Sequence, residues 1–157
     1  MCTGIALDRQ DVSDHLIEEY DLQQQLTTRG EGSRQEVQFR FQDKKARLPV
    51  QNGPQLMVLE WGNRDNKASR LPKTGWCRLE SLEEGRWRWL SPEEVIIPAS
   101  FGLEKGVWFQ ITEGMKGVSV QDETGHSHVY MLTQEASHYY RTMTHHSRMP
   151  VFVGKDV

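Results

Sequence analysis

A chain of 157 residues, 36% hydrophobic and 26% charged with five tryptophans, is long enough for one sizeable core and too short for two, so one domain spanning residues 1–157 is expected. The composition argues against disorder, no apolar run approaches a membrane span, and the start lacks the basic and apolar regions of a signal peptide, which makes the cytoplasm the expected address. The only cysteines, Cys2 and Cys77, argue against a disulfide framework and for reduced thiols.

The formal net charge of -3 argues weakly against a nucleic-acid partner, but the charge is uneven. Between Arg34 and Arg88 lie 12 of the 19 basic residues and 7 of the 22 acidic ones. Trp61, Trp76, Trp87 and Trp89 fall in the same stretch. Cations interleaved with aromatic rings suit a single-stranded nucleic acid, while a solvated face over buried core tryptophans explains the same residues.

In chain order, "MCTGIAL" places Cys2 directly behind the initiator methionine. If Met1 is removed, Cys2 carries a thiol and a free amine on neighbouring carbons, a trap for aldehydes. "DVSDHLIEEYDLQQQ" (Asp11 to Gln25) sets Val12, Leu16 and Tyr20 at helical spacing, with Asp11 or Ser13 as the N-cap. "TTRGEGSR" (Thr27 to Arg34) reads as a flexible loop. "EVQFRFQ" alternates Val37, Phe39 and Phe41 with polar residues as a strand with one buried face. "PQLMVLEWG" (Pro54 to Gly62) is a second strand, followed by a long basic loop from Asn63 to Gly75.

"WCRLESL" and "RWRWL" read as extended. Ser91 and Glu94 have capping-box spacing, but Pro98 and the β-branched Val95, Ile96 and Ile97 favour a short turn and a buried strand. "GVWFQI", "KGVSVQ" and "HVYMLT" continue as a meander of strands. "QEASHYYRTM" puts Ala136, Tyr139, Tyr140 and Met143 on one helical face, and "MPVFV" closes as a strand. The expected class is α+β, an antiparallel, pseudo-barrel-like sheet with a few flanking helices. His126 with His128, and His145 with His146, come nearest to metal spacing, but no thiolate or third ligand accompanies them, and His126 and His128 sit beside a turn where exposed histidine is ordinary. No metal or cofactor is expected, and nothing marks a nucleophile elbow.

Four stretches together, "MC", "WCRLES", "IIPASFGLE" and "HSRMPVFV", resemble the SRAP family, the SOS response-associated peptidases and abasic-site processing proteins. That family begins Met-Cys-Gly-Arg, carries Asn-Ala-Arg-x-Glu in its middle, places a glutamate six residues beyond an Ile-Pro-Ala proline, and ends in His-x-Arg-Met-Pro-Val. Cys2, the interval from Pro98 to Glu104, and His146, Arg148, Met149, Pro150 and Val151 match, and "TQEA" (Thr133 to Ala136) resembles the Thr-x-Glu-Ala stretch before the last motif. Arg78 and Glu80 match the middle motif, Trp76 stands in place of its asparagine, and Thr3-Gly4 replaces Gly-Arg. The resemblance covers the chain as a short, divergent member.

The resemblance implies a monomer that binds single-stranded DNA bearing abasic sites. Cys2, Glu104 and His146 would be catalytic. The Cys2 amine would form an imine with the open-chain aldehyde and its thiol would close a thiazolidine crosslink, with Glu104 and His146 moving protons and with N-terminal self-processing. Arg78 and Arg148 would bind phosphates, unless they pair with a carboxylate such as Glu80. Pro49, Trp61 and Trp76 would lie along the DNA groove, Pro49 and Trp61 otherwise serving as packing residues. Two other readings stand beside this one. The first is a binding module that keeps the fold and has lost the covalent chemistry, and the second is an N-terminal cysteine amidohydrolase using its own amine as base.

Overall fold

Alternation of apolar and polar side chains builds the first sheet. The computed structural model describes residues 1–29 and 34–154, and its first sheet runs β2 (Leu26–Thr28), β3 (Gln35–Arg40), β1 (Gly4–Asp8), β8 (Phe101–Glu104) and β9 (Val107–Gln110), every neighbour antiparallel. In β3, Val37 and Phe39 are buried as the period of two requires. Each contributes about 1.5–3 kcal/mol by leaving water. Of the loop expected over Thr27–Arg34, residues 30–33 lie outside the described residues, and Thr27 and Thr28 belong to β2.

The second sheet joins β4 (Arg47–Asn52), β5 (Gln55–Trp61), β7 (Glu93–Ile97), β10 (Met115–Gln121) and β11 (Ser127–Glu135) into a closed ring in the order β10, β7, β4, β5, β11 and back to β10. The C-terminal half of β11 leaves the ring and takes new partners. It pairs in parallel with β6 (Trp76–Arg78) and antiparallel with β12 (Arg148–Pro150). The expected α+β, mostly antiparallel, barrel-like architecture is therefore present.

β11 is apolar without alternation because both of its faces are covered. Val129 and Met131 pack in one core with Ile5, Phe39, Leu48 and Val58, which joins the first sheet to the ring. Tyr130 and Leu132 pack on the other side with Leu71, Cys77, Trp87 and Leu90. The Asn63–Gly75 segment roofs that second core. Its Asn63 side chain donates to the carbonyls of Ala68 (2.7 Å) and Leu71 (3.0 Å), and Pro72 O accepts from the Tyr130 hydroxyl at 2.8 Å.

Helices are few and short. The helix expected over Asp11–Gln25 is α1 (Asp14–Glu19), capped by Ser13, whose Oγ accepts from Leu16 N at 3.1 Å. It stops early because Asp21 takes a left-handed φ of 54° and Leu22 buries itself in the core. "LESLE", expected as extended, is α2 (Leu79–Glu83), and Arg88–Leu90 forms a 3-10 turn. The helix expected over Gln134–Met143 is α3 (His138–Thr144), with Ser137 as N-cap. Gln134 and Glu135 instead finish β11, and Tyr139 faces solvent while Tyr140 is buried. Strand β7 buries only Ile97; Ile96 is exposed, so the expected buried strand is one-sided. No helix among the described residues is long and apolar enough to cross a membrane.

Gly62 ends β5 at φ +64°, and a Cβ there would meet Thr74 O at 2.1 Å. Gly62→Ala is expected to cost about 3 kcal/mol, from backbone strain and overpacking together. Gly53→Ala, at φ +60° with nothing within 4 Å of the added carbon, should lose only about 1 kcal/mol. Denaturant midpoints of the two variants measure the difference.

Candidate functional site

Strand β1 lies against β8 with Gly4 opposite Leu103, and Thr3 N donates to Leu103 O at 2.8 Å. The chain start therefore runs beside the last residue of β8. That residue is Glu104, and the turn after it, Lys105 (φ 48°) and Gly106 (φ 79°), has the two left-handed positions of a tight hairpin. Glu104 is 1% exposed, and its Oε1 accepts from the Met1 α-amine at 2.8 Å. Burial lowers the pKa of that amine, against the opposing pull of Glu104.

His146 reaches the same carboxylate from the other side. Helix α3 ends at His145 in a left-handed conformation, φ 58°, and Lys105 Nζ donates to the His145 carbonyl at 3.0 Å. The chain then reverses into β12, leaving His146 Nε2 3.9 Å from Glu104 Oε1. His146 Nδ1 accepts from Arg148 N at 3.0 Å. In the neutral ring the proton thus belongs on Nε2, the nitrogen turned to Glu104.

Cys2 is fully buried and its thiol donates to Gly4 O at 3.0 Å. Burial pushes its pKa up to about 11, so the group is a neutral thiol at ordinary pH. Trp76 closes over the same residue. Its indole Nε1 donates to the Cys2 carbonyl at 3.1 Å, and its ring packs on Phe41 (4.7 Å between centroids) and Trp61 (5.8 Å). Cys2, Glu104, His146 and Trp76 are thus gathered into one site.

Sequence reasoning missed Tyr140 as a member of this site, having assigned it only to a helix face. It is fully buried against Phe109, and neither its hydroxyl nor Glu104 Oε2 finds a hydrogen-bond partner. Burial, then the charges of Cys2 and Glu104, raise the Tyr140 pKa. The hydroxyl is near the carboxylate but outside hydrogen-bonding geometry. The spacing Tyr140 to His146 carries no signal for this, since the contact depends on the left-handed turn at His145.

The two arginines are placed differently. Arg148 clamps Glu80 with two bonds, 2.7 and 3.1 Å, and donates to Thr133 O at 3.0 Å. Arg78 is exposed and touches the same carboxylate at 3.4 Å. Both therefore make the alternative pairing with Glu80. Pro49 is buried within β4, and Trp61 is 1% exposed with Nε1 donating to Gly75 O at 2.8 Å. As they stand, both are packing residues.

Trp87 is also core, whereas Trp89 is exposed beneath Arg70. Of the paired histidines beside the β10–β11 turn only His126 is exposed; His128 is buried between Gly62 O (2.8 Å) and Asp122 (2.9 Å). Among the described residues no group of His, Cys, Asp and Glu could hold a metal ion.

The chain matches no protein-family model and no curated protein sequence. Its fold is similar to that of an X-ray crystal structure of a protein from Bacteroides thetaiotaomicron, a structural-genomics target, with a TM-score of 0.60 and 16% identity over 95% of this chain and 75% of that one. At that identity the likeness is one of fold.

Two outcomes follow from this geometry. Cys2 at about 11 and Cys77, also raised by burial, to about 12, should react with iodoacetamide at pH 7.5 roughly 100-fold or more slowly than a free cysteine. Labelling at the ordinary rate would contradict their burial. Glu80 is held at about 2, below its usual 4.5, chiefly by the Arg148 bonds. A depressed carboxylate contributes stability above its unfolded pKa and loses it as pH falls through the folded value. The Glu80 contribution should therefore fade between pH 4.5 and 2, and it is modest, about 1 kcal/mol or less for an exposed pair. NMR titration of Glu80, and loss of this pH dependence in Glu80→Gln, check it.

Proposed function

We propose that this chain is an SRAP-type abasic-site processing protein that captures the aldehyde of an abasic site in single-stranded DNA through Cys2. The observation that carries the reading is the chain's amino end held by a buried carboxylate, with Cys2 next to it and His146 across from it. The motif resemblance assigns the same three residues to the chemistry.

An acylated amine cannot form an imine, so Met1 must first leave. Water adds across the Met1–Cys2 peptide bond, methionine departs, and the Cys2 amine is freed. Burial depresses the pKa of the Met1 amine beside Glu104, and the freed Cys2 amine would need the same burial to gain free base near neutrality. That amine adds to the C1′ aldehyde to give a carbinolamine. Glu104 and His146 supply the proton on which the hydroxyl leaves as water, giving the imine. The Cys2 sulfur then bonds to the imine carbon while its proton passes to nitrogen. The balance is one aldehyde and one aminothiol giving one thiazolidine and one water. The raised thiol pKa fits a sulfur that reacts after the amine and together with a proton transfer.

One observation favours the binding module without covalent chemistry. Trp76 occupies the position of the family's asparagine and its indole is already bonded to the Cys2 carbonyl.

Incubation with single-stranded DNA bearing one abasic site is expected to give an adduct that survives denaturation, and intact DNA none. Intact mass should show Met1 absent from the crosslinked protein. Cys2→Ala should abolish the stable adduct and leave an imine trapped by borohydride. Glu104→Gln and His146→Ala should each slow formation about 100-fold or more. An equally stable adduct from Cys2→Ala would refute the mechanism. No adduct from the parent, but one from Trp76→Asn, would assign the chain to the binding module.

A further inference from the structure

Two recesses open away from Cys2, Glu104 and His146, which line neither. The first, about 440 Å³, is walled by Ala46, Val58, Leu59 and Trp61 and carries Lys44, Lys45, Arg47 and Lys67 at its edge and floor. The second, about 500 Å³, shares Lys44, Lys45 and Arg47 and adds Arg40. A volume of that order suits a small organic ligand.

Backbone contacts fix the turn that carries two of these cations. Arg64 donates to the carbonyls of Phe41, Asp43 (3.0 Å) and Lys44 (3.4 Å), which fixes the turn that presents Lys44 and Lys45. Asp43 closes the same turn by accepting from Arg40 N at 2.9 Å. Arg47 is oriented by its bond to Tyr20 O at 2.5 Å, yet its Nε is buried without a partner. Among the described residues, Lys44, Lys45, Arg47 and Lys67 make no ion pair; of the two carboxylates that line the first recess, Asp65 lies 3.4 Å from Arg64, and Glu60 lies 3.4 Å from His128 and 4.0 Å from His126, contacts that are ionic only with a protonated ring. Asp21 and Asp43 are the carboxylates whose charge Arg47 feels, and neither bonds it. Four cations without an ion-pair partner gather around one recess, and a buried guanidinium N–H without an acceptor is costly. An anion with several oxygens answers both.

We propose that this recess is a nucleotide-binding site, separate from the Cys2 site, that seats the phosphate between Arg47 and the Lys44–Lys45 turn, with the sugar and base against the apolar wall. A nucleotide meets the pattern because it combines a doubly or singly charged phosphate with a flat aromatic base whose faces pack on apolar side chains, and an inorganic anion leaves the wall of Ala46, Val58 and Leu59 unused. The phosphate comes from a free mononucleotide or from one unit of a strand. The site stands on these residues alone and does not require covalent chemistry at Cys2.

The test titrates the full chain with dAMP, with deoxyadenosine, and with a 12-nucleotide undamaged single strand. Lys44→Glu, Lys67→Glu and Arg47→Lys are compared with Arg141→Glu, an exposed charge reversal on α3. Binding of dAMP but not deoxyadenosine, weakened about tenfold or more by the recess variants and not by Arg141→Glu, is the result expected for a free nucleotide. Weakening of strand binding alone, with a shallower salt dependence, supports the site with a strand as the source. Changes under twofold for both probes in all recess variants overturn the proposal. If circular dichroism shows Arg47→Lys to be unfolded, the two exposed lysines decide. Crosslinking to abasic DNA is read on the same samples, so loss of the recess site and loss of the Cys2 chemistry are scored separately.

Discussion

A carboxylate at 1% exposure cannot be left alone, and the arrangement around Glu104 follows from that constraint. Removing the partner of a buried charge costs about 3–5 kcal/mol. The partner here is the α-amine of the chain, not a side chain. Lys105, the neighbouring cation, turns away to cap the His145 carbonyl. The amine can serve only because β1 lies antiparallel to β8, which brings the start of one strand to the end of the other. The tight turn at Lys105–Gly106 then closes the site beneath it. Removing Met1 takes away the cation nearest Glu104, and the next amine in the chain is that of Cys2. The same electrostatic demand that fixes the strand would draw that amine toward the Glu104 carboxylate.

The site and the basic recess share a wall. Trp76 bonds the Cys2 carbonyl on one side and packs on Phe41 and Trp61 on the other, and Trp61 lines the recess. Gly75 makes this possible, since a Cβ there would sit 2.5 Å from Phe41 and 2.9 Å from the Trp61 nitrogen. Three interlocked rings with two indole N–H groups satisfied form a rigid partition. The basic island of the sequence is thus divided, with Arg78 on the Cys2 side beside Arg148, and Lys44, Lys45, Arg47 and Lys67 on the other.

What the sequence made legible was whatever depends on local periodicity. Val37 and Phe39 announced β3, and the apolar run of β11 announced a strand, because side-chain direction is set by the strand itself. The helix ends were not legible in the same way. α1 stops where Leu22 finds a core position, and α3 starts only at His138, after its cap Ser137, because β11 holds Gln134 and Glu135 in its ladder with Met149 and Arg148. Tertiary pairing overrode helical spacing in both cases. "LESLE" lost its extended reading for the opposite reason, since β6 ends at Arg78 and leaves the following residues free to coil. Within the site, Glu104, His146 and Trp76 were marked by the motifs, but Tyr140 and the bond from Trp76 to the Cys2 carbonyl were not, because each is defined by a contact with a residue far away in the chain.

The Arg148–Glu80 clamp shows how an oxyanion sits on this guanidinium. A carboxylate held by two parallel N–H bonds presents oxygens much as a phosphate does, so Glu80 occupies the place a phosphate would take on Arg148. The third anchor, Thr133 O, keeps the guanidinium plane fixed whichever anion is present. Because the pair is partly exposed, it contributes about 1 kcal/mol or less. Arg78, exposed, lies 3.4 Å from the same carboxylate. The two arginines therefore share one carboxylate, Arg148 through two bonds and Arg78 through one longer contact, so the charge of Glu80 is balanced from both strands that flank it.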